Sequence, residues 1–221
     1  MNRKKDIIKK IHELSGSKSP YDVFQDWVTC TALSIQNTCW LIHNGIWNER
    51  EEQFKKIIAP YGRKGADAFS EMFAMLVETM EYEMSDVLGD IYMEAGLGNK
   101  HLGQFFTPFS VARLCADMTM AQEDGRRMIT LNEPTCGGGG MIVACAASLH
   151  KRGVNYQRCM DVVAQDLDWK AVYMCYIQLS LLGIRATVYQ GDTLSNPYTP
   201  CSAEPRKVFY TPAKLGLLSV I

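Results

Sequence analysis

The sequence predicts an α/β protein with a helical domain over residues 1–100 and a parallel α/β domain over residues 101–221. Three observations indicate this organisation. In the first part, apolar residues recur at spacings of three and four, which is typical of amphipathic helices. After residues 96–103, short β-branched runs alternate with helical stretches, as in a parallel sheet with helical connections. A chain of 221 residues is also long enough to bury the cores of two modest domains.

Composition and charge exclude several classes of protein. Hydrophobic residues make up 47% and charged residues 21% of the chain, as in a globular rather than a disordered protein. The formal net charge is −1, so no overall positive field favours nucleic acid. The chain begins with charged residues in place of a secretory signal, and no apolar stretch is long enough to span a bilayer. We therefore expect a cytoplasmic protein.

The chain contains eight cysteines and four histidines, whose spacing decides how they are interpreted. No Cys-x-x-Cys pair occurs, and several cysteines lie in apolar helical runs, where free cysteine behaves as a small hydrophobic residue. Reduced, buried cysteines are therefore favoured over a disulfide framework. The histidines lack the spacing of metal ligands, so we expect no metal site.

Two segments of the first part carry clear helical signals. Ser19 is a predicted N-cap, followed by Pro20 at the first helical position and Asp22 at the third. A longer pattern predicts helical structure over residues 66–93. Its apolar stripe is rich in methionine and phenylalanine, and core packing is the simplest interpretation of it. A surface that binds a partner protein is the alternative.

The second part is predicted to contain four strands and two long helices. The predicted strands are residues 128–131, 161–164, 186–189 and 207–210. The predicted helices are residues 141–150 and 169–182, each followed by a glycine that suits a helix end. Residues 195–205, between the third and fourth strands, contain three prolines and are predicted to form a loop.

The most informative segment is the glycine loop, residues 132–140, which reads NEPTCGGGG between the first strand and the following helix. Four consecutive glycines let the backbone approach a ligand closely, and the helix N-terminus behind them presents free N–H groups. A phosphate-binding loop would carry a basic residue beside its glycines, whereas this loop carries Glu133. A carboxylate repels phosphate and suits an ammonium or sulfonium, which points to S-adenosylmethionine as a cofactor. The alternative is a tight turn that needs glycine only for steric reasons.

Carboxylates follow the next two predicted strands. Asp166 and Asp168 come at the end of the second strand, and Asp192 follows the third. In a doubly wound sheet, an acid at such a strand end accepts hydrogen bonds from ribose hydroxyls. An acid at the next strand end can accept from an adenine amino group. Each aspartate alone is more commonly a loop or cap residue, but together, after a glycine loop, they favour a nucleoside pocket.

Four short motifs occur in a fixed order along the chain. They read GQFFTP at 103–108, EPTCGGGG at 133–140, QDLD at 165–168 and GDTL at 191–194. In this order they resemble the motifs of adenine-N6 DNA methyltransferases, and most closely those of the modification subunits of type I restriction systems. The resemblance covers about residues 65–195, and DVLGDIY at 86–92 is similar to the N-terminal helical domain of that family. It implies a helical domain followed by a Rossmann-like S-adenosylmethionine-dependent methyltransferase sheet. We expect this sheet to be partial, because the chain stops at Ile221 before the remaining strands.

The resemblance implies a role for each matching position. The segment 104–108, the side chain of Glu133 and the loop backbone would line the methionine end of the cofactor. Asp166 would bind the ribose, Leu167 would pack on the adenine, and Asp192 would bind the adenine amino group. The implied cofactor-binding residues are Gln104, Phe105, Phe106, Thr107, Pro108, Glu133, Pro134, Cys136, Gly137, Gly139, Asp166, Leu167, Asp192 and Thr193.

The sequence departs from the family at the catalytic motif. Members of the family carry Asn/Asp-Pro-Pro-Tyr/Phe at the end of the fourth strand, where the amide and the ring hold the extruded target base. This tetrapeptide does not occur here. Asn196, Pro197 and Tyr198 are similar to it but have no strand before them, so we interpret them as a turn. Thr211 and Pro212 stand at the expected place but offer no amide. The catalytic residues are therefore unassigned, with these five as weak candidates.

Two hypotheses for function follow. In the first, the chain is an S-adenosylmethionine-dependent adenine-N6 DNA methyltransferase of the type I modification-subunit kind. In the second, it is a non-catalytic S-adenosylmethionine-binding subunit or a regulatory protein derived from that family. The implied partners are DNA and a separate specificity subunit or target-recognition chain. A second copy of the chain, paired through the open edge of the sheet, is a further implied partner.

Overall fold

The chain divides into two compact units in the computed structural model. The described residues are 3–40, 43–97 and 106–217. The helical unit comprises Met1–Glu83 and Val87–Phe105. The sheet unit comprises Phe106–Ile221 together with the short segment Met84–Asp86. Three residues that lie between two stretches of the helical unit therefore belong to the sheet unit.

The described residues of the helical unit form five α-helices. They are α1 (Arg3–Leu14), α2 (Pro20–Thr38), α3 (Gly45–Ile58), α4 (Gly62–Tyr82) and α5 (Val87–Glu94), with a 3-10 turn at Ala59–Tyr61. As predicted, Ser19 caps α2, and its side chain accepts a hydrogen bond from the backbone N–H of Asp22 at 3.2 Å. Trp27 is buried in the core of this unit, where its indole N–H donates to the carbonyl of Phe69 at 3.2 Å.

The helical pattern predicted over residues 66–93 is interrupted in the structure. Helix α4 ends at Tyr82, Glu83 is extended, and α5 begins at Val87. The prediction is therefore wrong over the intervening residues, because Ser85 and Asp86 are buried in the sheet unit instead of continuing the helix. The apolar stripe itself lies in the core: its buried members include Phe69, Met72, Leu76, Met80, Val87, Leu88 and Ile91.

The sheet unit is built on four strands and the helices that connect them. The strands are β1 (Ile129–Glu133), β2 (Met160–Asp166), β3 (Arg185–Gln190) and β4 (Val208–Tyr210). The helices are α6 (Phe109–Thr119), α7 (Gly140–Lys151), the single turn α8 (Tyr156–Cys159) and α9 (Trp169–Leu181). The four predicted strands and two predicted long helices are confirmed. The sheet order is β1-β2-β3-β4, and β1, β2 and β3 are parallel, which gives a partial Rossmann-like α/β fold.

Strand β4 differs from a further parallel strand because it pairs antiparallel with β3. The chain between β3 and β4 contains a proline-rich loop and only a 3-10 turn, Pro205–Lys207, whereas a parallel strand needs a crossover connection, usually a helix. The chain therefore reverses, and Tyr210 pairs with Thr187 near the amino end of β3. The residues after β4 consequently lie at the amino end of β3, opposite the glycine loop.

The two faces of the sheet are covered differently. On one face, Phe209 of β4 packs against Tyr173 and Tyr176 of α9, with ring centroids 5.6 and 5.2 Å apart. On the other face, β1 exposes Thr130 and Asn132. Among the described residues, β1 pairs with β2 alone, so its second edge is open. Parallel sheets usually have both faces covered, which makes the exposure of Thr130 and Asn132 on β1 unusual.

None of the eight cysteines forms a disulfide, and five of them are buried: Cys30, Cys136, Cys145, Cys159 and Cys175. Burial raises the pKa of the Cys30 thiol to about 12 and that of Cys145 to about 11. These two thiols therefore stay protonated at neutral pH and pack as apolar groups. Within the described ranges, no helix has the length and apolar character needed to cross a membrane.

The turn after β4 is anchored by the hydroxyl of Thr211, which gives a test of the antiparallel topology. This hydroxyl accepts from the backbone N–H of Ala186 at 2.9 Å and donates to the carbonyl of Ile184 at 2.7 Å. Replacing Thr211 with valine leaves both buried groups without their partner, so we expect a loss of about 1–3 kcal/mol in the free energy of unfolding. Thr130→Val, on the exposed face of β1, is the matched control and should change it by less than about 0.5 kcal/mol. Denaturant unfolding of both variants makes the comparison, and equal stabilities would contradict the anchoring role.

Candidate functional site

The candidate site lies where the parallel strands β1, β2 and β3 end. These strands run in the same direction, so Glu133, Asp166 and Gln190 come to one edge of the sheet. The glycine loop leaves β1 at this edge and leads into α7. Gly137 has a φ of 52° and Gly139 a φ of 93°, left-handed conformations that side chains other than glycine rarely adopt. The strained turn therefore needs glycine at these two positions.

Hydrogen bonds join the glycine loop to the end of β2. The backbone N–H of Gly137 donates to Oδ2 of Asp166 at 2.8 Å, and the backbone N–H of Asp168 donates to Oδ1 of the same side chain at 2.9 Å. The N–H of Cys136 donates to the carbonyl of Gln165 at 2.9 Å. Each Asp166 oxygen keeps a lone pair for a further donor. This carboxylate therefore shapes the loop and can still bind hydroxyl groups.

Glu133 and Asp166 make the site electronegative. Burial raises the pKa of the half-buried Glu133 carboxyl, the backbone N–H of Thr135 opposes this rise, and the charge of Asp166 adds to it. Residues 132–140 contain no lysine or arginine to compensate. Two carboxylates in one partly desolvated region favour a bound cation over a phosphate. The described residues contain no group of three or more His, Cys, Asp or Glu that could hold a metal ion.

Phe106 is the described member of the predicted segment 104–108 that meets the loop. The ring of Phe106 lies 3.1 Å from the place where a Cβ on Gly137 would stand. Thr107 and Pro108 are exposed just before α6, while Gln104 and Phe105 fall outside the described residues. An aromatic ring therefore lies beside the glycine loop at Gly137.

The end of β3 is also tied to the glycine loop and to the residues after β2. The hydroxyl of Thr193 donates to the carbonyl of Pro134 at 2.5 Å. The side-chain amide of Gln190 donates to the carbonyl of Leu167 at 2.7 Å. The Leu167 side chain itself is 66% exposed, so an apolar surface beside Asp166 is open to a planar ligand.

Asp192 caps the turn that follows β3. Its Oδ1 accepts from the backbone N–H of Leu194 at 2.9 Å, and its Oδ2 accepts from the hydroxyl of Ser195 at 2.8 Å. The hydrogen bond from Ser195, followed by that from Leu194, lowers the pKa of this carboxyl. The structure thus shows a capping role for Asp192, and its remaining lone pairs leave it able to accept from a ligand.

The Asn196–Tyr198 segment is held on the Tyr189 face of the sheet by a buried glutamine. The side-chain amide of Gln165 donates to the carbonyl of Asn196 at 3.0 Å and accepts from the backbone N–H of Tyr198 at 2.9 Å. The Asn196 amide donates to the hydroxyl of Tyr189 at 3.2 Å, and the rings of Tyr189 and Tyr198 lie 5.4 Å apart. The backbone N–H of Asn196 also donates to the carbonyl of Asp192, which closes a turn. The amide and the ring that could hold a base, with Pro197 between them, are therefore engaged with the sheet.

The two other candidates for a catalytic role lie far from the glycine loop along the strands. Thr211 and Pro212 follow β4 at the amino end of β3, because β4 runs antiparallel. A strand parallel to β1 would have delivered its last residues to the same edge as Glu133. The sequence predicted Thr211 and Pro212 at the end of a fourth parallel strand. This prediction is wrong, because β4 is antiparallel and ends at the amino end of β3.

Two residues beside the loop were not singled out as site residues by sequence reasoning. The side-chain amide of Gln178 in α9 donates to the carbonyl of Gly138 at 2.7 Å and to Oδ1 of Asp86 at 2.8 Å. Gln178 and Asp86 are buried. The one signal in the sequence was a glutamine within a largely apolar stretch of helix α9, and this signal does not identify the partner of the glutamine.

A comparison with protein families identifies the sheet unit. The family model described as N-6 DNA Methylase matches residues 83–213. This range covers more than half of the chain. The chain belongs to the N-6 DNA methylase family. The resemblance of its motifs to the adenine-N6 DNA methyltransferases is thereby confirmed, and the match includes the glycine loop and all the strand ends described above.

Solved structures of methyltransferases show weaker likeness. The type I restriction-modification system methyltransferase subunit from Streptococcus thermophilus is 16% identical, with a TM-score of 0.48, over 91% of this chain and 41% of that chain. A class I S-adenosylmethionine-dependent methyltransferase from Listeria monocytogenes is 16% identical, with a TM-score of 0.44, over 78% of this chain and 55% of that chain. The chain thus spans about half the length of these proteins or less. No curated protein matches the sequence.

The raised pKa of Glu133 predicts how stability changes on replacing this residue. The folded pKa lies above that of the unfolded chain, so ionised Glu133 costs the folded state stability that the protonated form does not. We expect Glu133→Gln to raise the thermal unfolding temperature at neutral pH, where wild-type Glu133 is charged. The difference should shrink as the pH falls through the folded pKa, because the wild-type carboxyl then becomes neutral.

Thermal unfolding across a pH series measures this difference. The matched control is Glu123→Gln, since the carbonyl of Glu123 contacts Arg152 after α7, at the end of that helix remote from the glycine loop. A Glu133→Gln variant that is less stable than the wild type at neutral pH would contradict the electronegative character of the site.

Proposed function

We propose that the chain binds S-adenosylmethionine at the carboxyl ends of β1, β2 and β3 and serves methyl transfer to adenine N6 in DNA. The observation that carries this proposal is the glycine loop, joined by hydrogen bonds to Asp166 and flanked by Glu133, within the range matched by the N-6 DNA methylase family. The lack of lysine and arginine in the loop argues against a nucleotide phosphate in its place.

The residues of the site fit the two ends of this cofactor. Glu133 and the charge of Asp166 would attract the ammonium and sulfonium groups of the methionine end. The Asp166 oxygens have acceptor capacity left for ribose hydroxyls. The exposed side chain of Leu167 would pack on the adenine, and Asp192 would accept from its amino group. Phe106, whose ring lies beside Gly137, would close the methionine end.

Positioning is the main contribution of these residues to the reaction. When bound, S-adenosylmethionine supplies an electrophilic methyl group on a sulfonium, which is a good leaving group. The protein therefore has to orient the methyl group, exclude water and hold the acceptor in line. Glu133, the loop backbone and Asp166 would fix the orientation of the methyl group through hydrogen bonds and charge.

The proposed partners follow from charge and from the open sheet edge. A net charge of −1 gives the chain little attraction for DNA by itself, so we assign DNA contact chiefly to a separate specificity or target-recognition chain. In the described part of the chain, β1 pairs on one edge only, and its other edge would offer backbone groups to another strand, including one from a second copy of the chain.

A second candidate function is favoured by the candidate catalytic residues. The Asn196 amide and the Tyr198 ring are engaged with Tyr189, and Thr211 lies at the amino end of β3. Within residues 106–217, the contacts of these groups are with the sheet: Asn196 and Tyr198 contact Gln165 and Tyr189, and Thr211 contacts Ala186 and Ile184. This arrangement supports a non-catalytic S-adenosylmethionine-binding subunit, which would share the cofactor site and lack turnover of its own.

Cofactor binding tests the part that both functions share. We expect isothermal calorimetry to detect S-adenosylmethionine binding to the wild-type chain and at least about a tenfold loss of affinity, about 1.4 kcal/mol, for Asp166→Asn. This variant loses the charge of Asp166 and part of its acceptor capacity. The matched control is Asp161→Asn at the other end of β2, where Asp161 pairs with Lys214 at 2.6 Å. No detectable binding by the wild type would refute both functions.

Methyl transfer separates the two functions. A labelled methyl group should pass from S-adenosylmethionine to unmethylated bacterial DNA, with the chain alone or with proteins that co-purify with it. Incorporation as N6-methyladenine, lost in Asp166→Asn, supports the enzyme. Tight cofactor binding without incorporation under either condition leaves the non-catalytic subunit as the function.

A further inference from the structure

We infer that Asp86 is a positioning residue for the glycine loop, acting from a segment outside the four cofactor motifs. This inference deepens the proposed function, because its consequence for ligand affinity rests on S-adenosylmethionine binding at that loop. The contacts that define the role belong to the sheet unit alone and hold without a ligand.

The location of Asp86 is the first observation. The segment Met84–Asp86 belongs to the sheet unit, although α4 precedes it and α5 follows it. Ser85 and Asp86 are each only 4% exposed. The match to the N-6 DNA methylase family also begins at residue 83, so it includes this segment and leaves out α1–α4. The break between α4 and α5 therefore coincides with the segment in which Asp86 belongs to the sheet unit.

The hydrogen bonds of Gln178 connect Asp86 to the loop backbone. The side-chain nitrogen of Gln178 donates to Asp86 Oδ1 at 2.8 Å and to the carbonyl of Gly138 at 2.7 Å. Gln178 is fully buried, so its two N–H groups are directed by these acceptors and not by water. The Asp86 carboxylate thus fixes the amide orientation that holds Gly138.

Asp86 also lies directly against the start of α7. A Cβ on Gly140 would stand 2.7 Å from Asp86 Oδ2, and one on Gly138 would stand 3.5 Å from Oδ1. The N-cap of α7 is Gly139, which has no side chain to cap the helix. A carboxylate at a helix N-terminus is stabilised by the free N–H groups and the helix dipole. Asp86 supplies this negative charge from a residue distant in sequence.

The close approach changes how the four glycines are explained. Gly137 and Gly139 are required by their left-handed backbone. At Gly140, any other side chain would make the Asp86 carboxylate shift, because a Cβ there would stand 2.7 Å from Oδ2. The glycine at position 140 therefore allows a close contact within the protein, in addition to any space that the glycine run leaves for a ligand.

The functional consequence is preorganisation of the loop. A loop held in its binding conformation before the ligand arrives loses less conformational entropy on binding. Removing the charge of Asp86 weakens the contact to Gln178 and to the start of α7, so the loop becomes free to adopt other conformations. Affinity for the ligand then falls, although Asp86 does not touch the ligand.

The test compares Asp86→Asn with the exposed control Asp67→Asn in α4. Calorimetry should show an affinity for S-adenosylmethionine that falls about tenfold in Asp86→Asn and is unchanged in the control. In ligand-free protein labelled with ¹⁵N-glycine, the amide resonances of Gly138, Gly139 and Gly140 should shift in Asp86→Asn, while that of Gly153 at the far end of α7 should stay in place. A general loss of stability would move the Gly153 resonance as well.

A second variant keeps the inference testable if Asp86→Asn does not fold. Gln178→Met removes the donor that joins Asp86 to Gly138, and it should shift the same glycine resonances and lower the affinity. Where both variants fold, the double variant should lose less affinity than the sum of the single losses, because the two residues act through one contact.

Wild-type affinity and unshifted Gly138–Gly140 resonances in Asp86→Asn would overturn the positioning role. An absence of S-adenosylmethionine binding in the wild type would instead overturn the proposed function. In that event the glycine resonances of the ligand-free variants still decide whether Asp86 positions the loop.

Discussion

The candidate site depends on the hydrogen bonds that join the glycine loop to the end of β2. The loop backbone cannot pair as a helix or strand, and its partly buried N–H groups still need acceptors. Asp166 and the carbonyl of Gln165 supply them to Gly137 and Cys136. Burial raises the pKa of the nearby Glu133 carboxyl, and the charge of Asp166 adds to this rise. The geometry that shapes the loop thus also creates the negative charge that suits a cationic ligand.

Carboxylates act on the loop in two distinct ways. Asp166 is half-buried at the strand ends and has acceptor capacity left for a ligand. Asp86 is almost completely buried, and it contacts Gln178 and the start of α7. Burying a carboxylate is costly unless hydrogen bonds and a helix N-terminus compensate for the lost hydration. The compensation at Asp86 therefore stabilises one conformation of the loop.

The connection between β3 and β4 determines where the candidate catalytic residues lie. A connection without a long helix makes β4 antiparallel, which takes Thr211 to the amino end of β3. The same connection lays Asn196 and Tyr198 along Gln165, where the buried amide satisfies their backbone groups. In the described part of the sheet unit, hydrogen bonds therefore join the glycine loop to the ends of β2 and β3, while Asn196, Tyr198 and Thr211 are held by the sheet.

The sequence by itself determined the features that depend on neighbouring residues: the capped start of α2, the positions of the strands and of α7 and α9, and the glycine loop with Glu133. Helical spacing, β-branched runs and consecutive glycines are local signals, and the ordered motifs added the family. Only the tertiary structure decided the break after Tyr82, the antiparallel direction of β4 and the contact between Gln178 and Asp86. Asp86 lies 92 residues from Gln178, and a bond over that distance is chosen by the burial and hydrogen-bond needs of the whole unit. No local pattern encodes that choice.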